Sequence, residues 1–247
     1  MKDNFSSRSK EYRKFRPGYP PEVFQLIRQH LTACDSAWDC GTGNGQVAAI
    51  LSDFFHLVEA TDISENQLKN AINRRNIKYS VQPAEKTDFC DNQFDLIITA
   101  QAVHWFDFEQ FYSELKRCLK PEGLFVILGY GLFHSNPETN RIIENFYQNI
   151  VGPYWDKERS YLDQNYKTIP FPFQEIKTSA FEQQYYWNIE HLLGYLRTWS
   201  AVKHYEKKNR EDPVNKIESS LGIAFGVTNY VRFPILLRMG KMDNIDH

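Results

Sequence analysis

Residues 37 to 64, AWDCGTGNGQVAAILSDFFHLVEATDIS, leave few folds open to this chain. A short apolar run ends in Asp39, glycines stand at 41, 43 and 45, and a second apolar run ends in Asp62. Between them Val47, Ile50, Leu51 and Phe54 fall on one helical face. The pattern predicts strand, glycine turn, helix, strand, the opening unit of a doubly wound α/β sheet. Glycine in such a turn lets the backbone approach a ligand that a Cβ would hold off.

The two carboxylates narrow that ligand. Asp62 ends its run about twenty residues past the first glycine, where a carboxylate accepts both hydroxyls of a ribose, so a nucleoside is expected. NAD would set its pyrophosphate at the helix N-terminus, and Gly43, Gly45 and Ala48 fit the tolerant form of that fingerprint, so spacing alone leaves NAD open. Asp39, at the mouth of the loop, would repel a pyrophosphate but pair with a cation such as an amino group. S-adenosylmethionine (SAM) carries that cation and no phosphate. A P-loop is excluded, because no Gly-Lys-Ser/Thr follows the glycines.

Downstream, Ser64-x-x-Gln67 has the form of a capping box, and Gln67 is either a cap or a ligand residue. Ile77, Tyr79 and Val81 alternate as a strand that Pro83 stops. Residues 94 to 100, FDLIITA, suit a strand buried on both faces, which sets Ala100, Gln101 and His104 at its carboxyl end, where α/β sheets bind ligands. Trp105 and Phe106 read as packing. Phe108, Phe111, Tyr112, Leu115 and Leu119 form a helical core stripe, and residues 124 to 128 a fifth strand. A helix is expected over 138 to 151. Residues 153 to 173 interleave aromatics with prolines, and a segment this long inside a domain suits a substrate cover that includes Trp155. A sixth strand is expected over 176 to 187. A helix from 190 follows, with Leu192, Leu196 and Trp199 inward and Arg197, Ser200 and His204 on a neighbouring face. That face is either a solvated stripe or a guanidinium, hydroxyl and imidazole set for a carboxylate substrate. A polar loop is expected over 207 to 213 and a last strand over 231 to 239, with Pro234 at an edge or bulge.

At 247 residues with formal charge -2, the chain suits one α/β domain and gives no electrostatic reason for a nucleic-acid surface. Cys34, Cys40, Cys90 and Cys118 have no framework or C-x-x-C spacing, and the histidines no ligand spacing, so reduced cytoplasmic thiols and no metal are expected. No apolar run reaches membrane-spanning length and the N-terminus lacks a signal-peptide core. A monomer or homodimer is expected.

The acidic residue and alternating glycines of residues 39 to 45, DCGTGNG, resemble the first motif of the class I SAM-dependent methyltransferases. Asp62-Ile63-Ser64 with Gln67-Leu68 is similar to that family's second motif, and Pro83-Ala84-Glu85 to its adenine-contacting turn. Residues 101 to 106 and 119 to 123 are similar to its segments after the fourth strand and before the fifth. Residues 12 to 20, YRKFRPGYP, and 196 to 202, LRTWSAV, resemble the small-molecule branch that includes trans-aconitate methyltransferases. Pro83 departs from the pattern, since many relatives carry an acid there. The resemblance implies a Rossmann-like, seven-stranded, mostly parallel sheet in the order 3-2-1-4-5-7-6. It implies one domain over 1 to 247, a cofactor-covering segment 1 to 20 and a cap inserted at about 131 to 173. The implied SAM residues are Tyr12, Asp39, Gly41, Thr42, Gly43, Gly45, Gln46, Asp62, Ile63, Gln67, Ala84, Glu85, Ala100 and Gln101. For the small-molecule methyl acceptor, Trp155, Arg197, Ser200 and His204 are the expected contacts, with a carboxylate ranked first. His104 is the candidate to deprotonate a hydroxyl or amine acceptor. The rivals are an NAD(P)-dependent oxidoreductase and a non-catalytic SAM-binding interaction protein.

Overall fold

The computed structural model describes residues 14–242. Five parallel strands alternate with helices: β1 (Ser36–Cys40), β2 (Leu57–Asp62), β3 (Ile77–Val81), β4 (Phe94–Ala100) and β5 (Leu119–Tyr130). The long strand β8 (Thr228–Lys241) runs antiparallel beside β5. Two shorter strands, β6 (Gln174–Glu175) and β7 (Phe181–Asn188), pair with opposite ends of the same edge of β8. They amount to one edge strand broken between them, where a single strand over 176 to 187 was expected. Counted so, the sheet has the predicted seven-stranded order, β3-β2-β1-β4-β5-β8 and then the broken edge.

Alternate residues of the central strands feed two cores, as the period of two requires. Ala37, Leu96, Leu124 and Val126 face one side, and Trp38, Ile97, Phe125 and Ile127 the other, all completely buried. Pro234 fits inside β8 because its carbonyl accepts from Gly131 N (2.9 Å), past the last residue of β5, so its missing N–H leaves no ladder bond unmade.

The helices carry the signals that end them. Helix α1 (Pro21–Gln29) opens on a proline, and His30 closes it with Nδ1 3.0 Å from the Leu26 carbonyl. Helix α2 is Gln46–Leu51. The Ser64 hydroxyl accepts from Gln67 N (3.3 Å) to start α3 (Glu65–Lys69), and Asp107 accepts from Gln110 N (3.1 Å) to start α4 (Phe108–Cys118).

Two expectations about helices need correction. The helix over 138 to 151 is α5 (Pro137–Asn145) followed by a π-turn, Phe146–Ile150. The helix from 190 does not run through His204: α7 (Ile189–Arg197) stops, and α8 (Ser200–Asn209) starts afresh after Thr198 and Trp199. Trp199 is extended (ψ 138), so the 100° spacing that grouped Arg197 with Ser200 and His204 is lost. Helix α8 also occupies part of the expected polar loop, and α9 (Glu218–Phe225) had no counterpart in the sequence reading. Between β5 and β6 stands a short helix, α6 (Arg159–Asp163), whose Arg159 and Leu162 share a chamber with Gln101 and His104, just past the carboxyl end of β4. Among the described residues, no helix is long and apolar enough to cross a membrane.

Candidate functional site

A cleft of about 860 Å³, counting its open mouth, lies at the carboxyl ends of β1, β2 and β4, where open α/β sheets bind their ligands. From the expected set it gathers Asp39, Gly41, Thr42, Gly43, Gln46, Asp62, Ile63, Gln67, Ala100 and Gln101. Gly45 does not line it and instead caps α2. Ala84 and Glu85 do not line it either: Ala84 is buried in the second core, and Glu85 Oε1 accepts from Asp107 N (3.1 Å). Tyr12 lies outside the described residues. Sequence reasoning missed Asn44, Trp105 and Tyr130 as lining residues. Asn44 sits inside the glycine motif and was legible there; Tyr130 lies at the carboxyl end of a strand, and Trp105, read as packing, follows one.

Asp39 is 1 % exposed, and its Oδ2 accepts from the Thr42 hydroxyl (2.5 Å) and Ala48 N (2.9 Å). Among the described residues its Oδ1 is buried without a hydrogen-bond partner, as are Asn44 Nδ2 and Gln67 Oε1. A buried polar atom left unpaired is costly, so three of them around one cleft mark where a polar ligand belongs. Burial, with a smaller push from the Asp62 charge, raises the Asp39 pKa to about 7 against the Thr42 and Ala48 hydrogen bonds. Asp62 holds the loop from the other side, accepting from Gly43 N (2.9 Å) and Ser64 N (2.8 Å).

Gly43 has φ +57, and an added Cβ would meet nothing within 4 Å, so that space opens to the cleft. Gly43→Ala is expected to weaken cofactor binding by about tenfold or more while costing only the modest strain of a left-handed alanine, about 1–3 kcal/mol. Calorimetric titration beside a melting curve checks this, and unchanged affinity contradicts the cradle.

Beyond Arg16, Gln101 and Trp105, which it shares with the cleft, lies a second chamber of about 440 Å³, again counting its open mouth. His104, Trp155, Asp156, Arg159, Leu162 and Ser200 complete its wall. Arg159 Nε donates to the Tyr147 hydroxyl (2.8 Å) and lies 3.3 Å from Asp163, and its guanidinium rests over the Trp155 ring at 4.7 Å. Its two terminal nitrogens make no hydrogen bond among the described residues. His104 is 6 % exposed, and burial first, then the Arg159 charge, pulls its pKa down to about 3. Of the expected acceptor residues, Trp155 and Ser200 line this chamber; Arg197 and His204 do not. Arg197 is engaged by Asp212 (2.6 Å), Asn215 (3.1 Å) and Glu218 (3.4 Å), and His204 Nδ1 sits 3.0 Å from the Tyr154 carbonyl.

Residues 38–127 match the family model for a methyltransferase domain. Over nearly its whole length the chain is similar to a Dictyostelium discoideum protein assigned as a methyltransferase, at 32% identity across 98% of this chain and 95% of that one. The chain belongs to the class I SAM-dependent methyltransferases.

A solved structure from Anaeromyxobacter dehalogenans, assigned as a type II methyltransferase, is similar to this methyltransferase with TM-score 0.84 and 36% identity. It covers 92% of this chain and 98% of that one. A Saccharomyces cerevisiae protein named as a SAM-dependent methyltransferase is 26% identical across 67% of this chain, which spans 59% of the yeast protein. Methyl transfer thus replaces the oxidoreductase and non-catalytic readings, and a free buried carboxylate oxygen at the glycine loop suits a cation better than a pyrophosphate.

Proposed function

We propose that this methyltransferase acts on a small acceptor carrying a carboxylate, bound in the chamber beside the SAM cleft under the cover formed by residues 131 to 173. The observation that carries the reading is Arg159, a guanidinium anchored at Nε on the wall of this chamber, with both terminal nitrogens left for a ligand. The resemblance of residues 196 to 202 to the trans-aconitate branch supports the same class, although in this reading Arg159 and Ser200, which line the chamber, hold the acceptor in place of Arg197 and His204.

On the cofactor side, Asp39 Oδ1 would take the amino group, Asp62 the ribose, and Gly43 would leave room for the nucleoside, with Asn44 Nδ2 and Gln67 Oε1 as further polar partners. When bound, SAM supplies an electrophilic methyl on a sulfonium: a carboxylate oxygen forms the new O–C bond while the broken S–C bond leaves its electron pair on sulfur. A carboxylate is already ionised at neutral pH, so no proton has to be removed. The chain's task is then to orient the acceptor with Arg159 and Ser200 and to exclude water with Trp105, Trp155 and Leu162. An acceptor that needs His104 as a base fits less well, because an imidazole with a pKa near 3 is a weak one.

Release of S-adenosylhomocysteine, measured over a panel of small organic acids, amines and alcohols, tests the reading. Turnover is expected with acids that place a carboxylate at Arg159. Turnover confined to amines or neutral alcohols would contradict it.

A further inference from the structure

Three features converge on a side chain that does not line the chamber, Tyr166. Asn165 and Tyr166 are both left-handed (φ 54 and 60), a conformation that L side chains disfavour and that tends to be kept where function requires it. Beneath the ring, β5 keeps Gly129, whose Cβ would stand 2.6 Å from Tyr166 Cε2 and 3.0 Å from its hydroxyl oxygen. Arg238 Nη1 then clamps the backbone on either side, donating to the carbonyls of Tyr166 (3.0 Å) and Ile169 (2.8 Å). The result is a fully buried phenol whose hydroxyl lies 3.4 Å from His104 Nδ1, with the two rings near parallel at 28°.

A phenol is a stronger acid than a neutral imidazole N–H, and an imidazole nitrogen a better acceptor than a phenol oxygen, so between neutral partners the O–H donates to the ring. Neutral imidazole carries one proton, and with Nδ1 accepting it must sit on Nε2. His104 lines the chamber, and its Nε2 has no hydrogen-bond partner among the described residues. We propose that Tyr166 is a positioning residue that fixes His104 as the Nε2–H tautomer, so that the chamber offers the acceptor an imidazole donor rather than a base. The charged groups facing this imidazole across the chamber are Arg159, Arg16 and Asp156, and the adjacent guanidinium of Arg159 works against a second proton. The donor role rests on the chamber being the acceptor site; the tautomer does not.

Two-bond proton–nitrogen correlation spectra of the 15N-labelled protein, with His104 assigned by its loss in His104→Gln, read the tautomer directly. The wild type is expected to show a protonated Nε2 and bare Nδ1 that do not change from about pH 5 to 8, across the range where an ordinary histidine titrates. Tyr166→Phe is expected to shift His104 toward the other tautomer. It should also raise the KM for an active acid by roughly 3- to 10-fold, the worth of one hydrogen bond, with SAM affinity unchanged. A protonated Nδ1 in the wild type, or an identical tautomer in Tyr166→Phe, overturns the proposal whatever the substrate. A tautomer that shifts while KM for the acid stays fixed overturns the donor role, whereas the siting of the acceptor in this chamber is read separately, from Arg159→Met.

Discussion

Asp39→Asn is expected to weaken SAM binding about 100-fold while leaving the ligand-free protein at least as stable as the wild type. The two effects have one cause. Asp39 is buried with Oδ1 unpaired, so without a ligand its charge is unsatisfied, and burial pushes its pKa up to about 7. Asparagine keeps an oxygen for Thr42 and Ala48 and removes the charge. The sign follows from linkage. With the folded pKa above the ordinary 3.8, the folded protein retains a proton that the unfolded chain gives up, so stability falls as pH rises from about 4 to about 7. A shift of that size corresponds to a cost on the order of 4 kcal/mol above pH 7.

A cationic ligand needs the ionised form, so SAM affinity should rise about tenfold per pH unit up to about pH 7 and then level off, and Asp39→Asn should abolish that slope. His104, with its pKa lowered to about 3, acts oppositely on stability, which is lost as pH falls below about 6.5; the difference between wild type and variant therefore isolates Asp39. Calorimetric titration against pH and urea melts of both proteins measure these quantities. An affinity within about twofold of wild type would remove the role given to this carboxylate.

Arg159→Met is expected to lower kcat/KM for a carboxylate acceptor by about 30- to 100-fold with SAM affinity unchanged, since hydrogen bonds to charged groups carry about 1.5–3 kcal/mol. Methionine preserves an apolar stem over Trp155, so the loss reports the guanidinium and not the packing. Arg159→Lys should recover little, because an ammonium cannot hold Tyr147 through one nitrogen and present two more as a planar fork. Equal losses for acid and neutral acceptors, or a parallel loss of SAM affinity, would show that Arg159 acts through the fold and not on the substrate.

The cofactor half was legible because local chemistry dictates it: apolar runs ending in Asp39 and Asp62 around a glycine turn place those groups by strand geometry alone. The acceptor half was not. Arg159 lies in an irregular stretch, DKERSY, where no periodicity says which charge turns inward, and only packing against Trp155 and Tyr147 selects it. Arg197 was misplaced because the helix was carried through Trp199, whose extended backbone starts a new one, and because Asp212 and Glu218, distant in sequence, engage its charge. Glu85 likewise gains a partner that the sequence does not announce, the backbone N–H of Asp107 at the N-terminus of α4. The sheet order was legible in outline, and the break between β6 and β7 was not, since charge and aromatics mix through that edge without a strict alternation.

A crystal structure with S-adenosylhomocysteine would show whether Asp39 and the Arg159 chamber serve the two ends of one reaction. Its amino nitrogen is expected about 3 Å from Asp39 Oδ1, its ribose on Asp62, and its sulfur facing Gln101 and Trp105, two of the three residues shared with the Arg159 chamber. An amino group held elsewhere, or a sulfur turned away from that chamber, would contradict that arrangement.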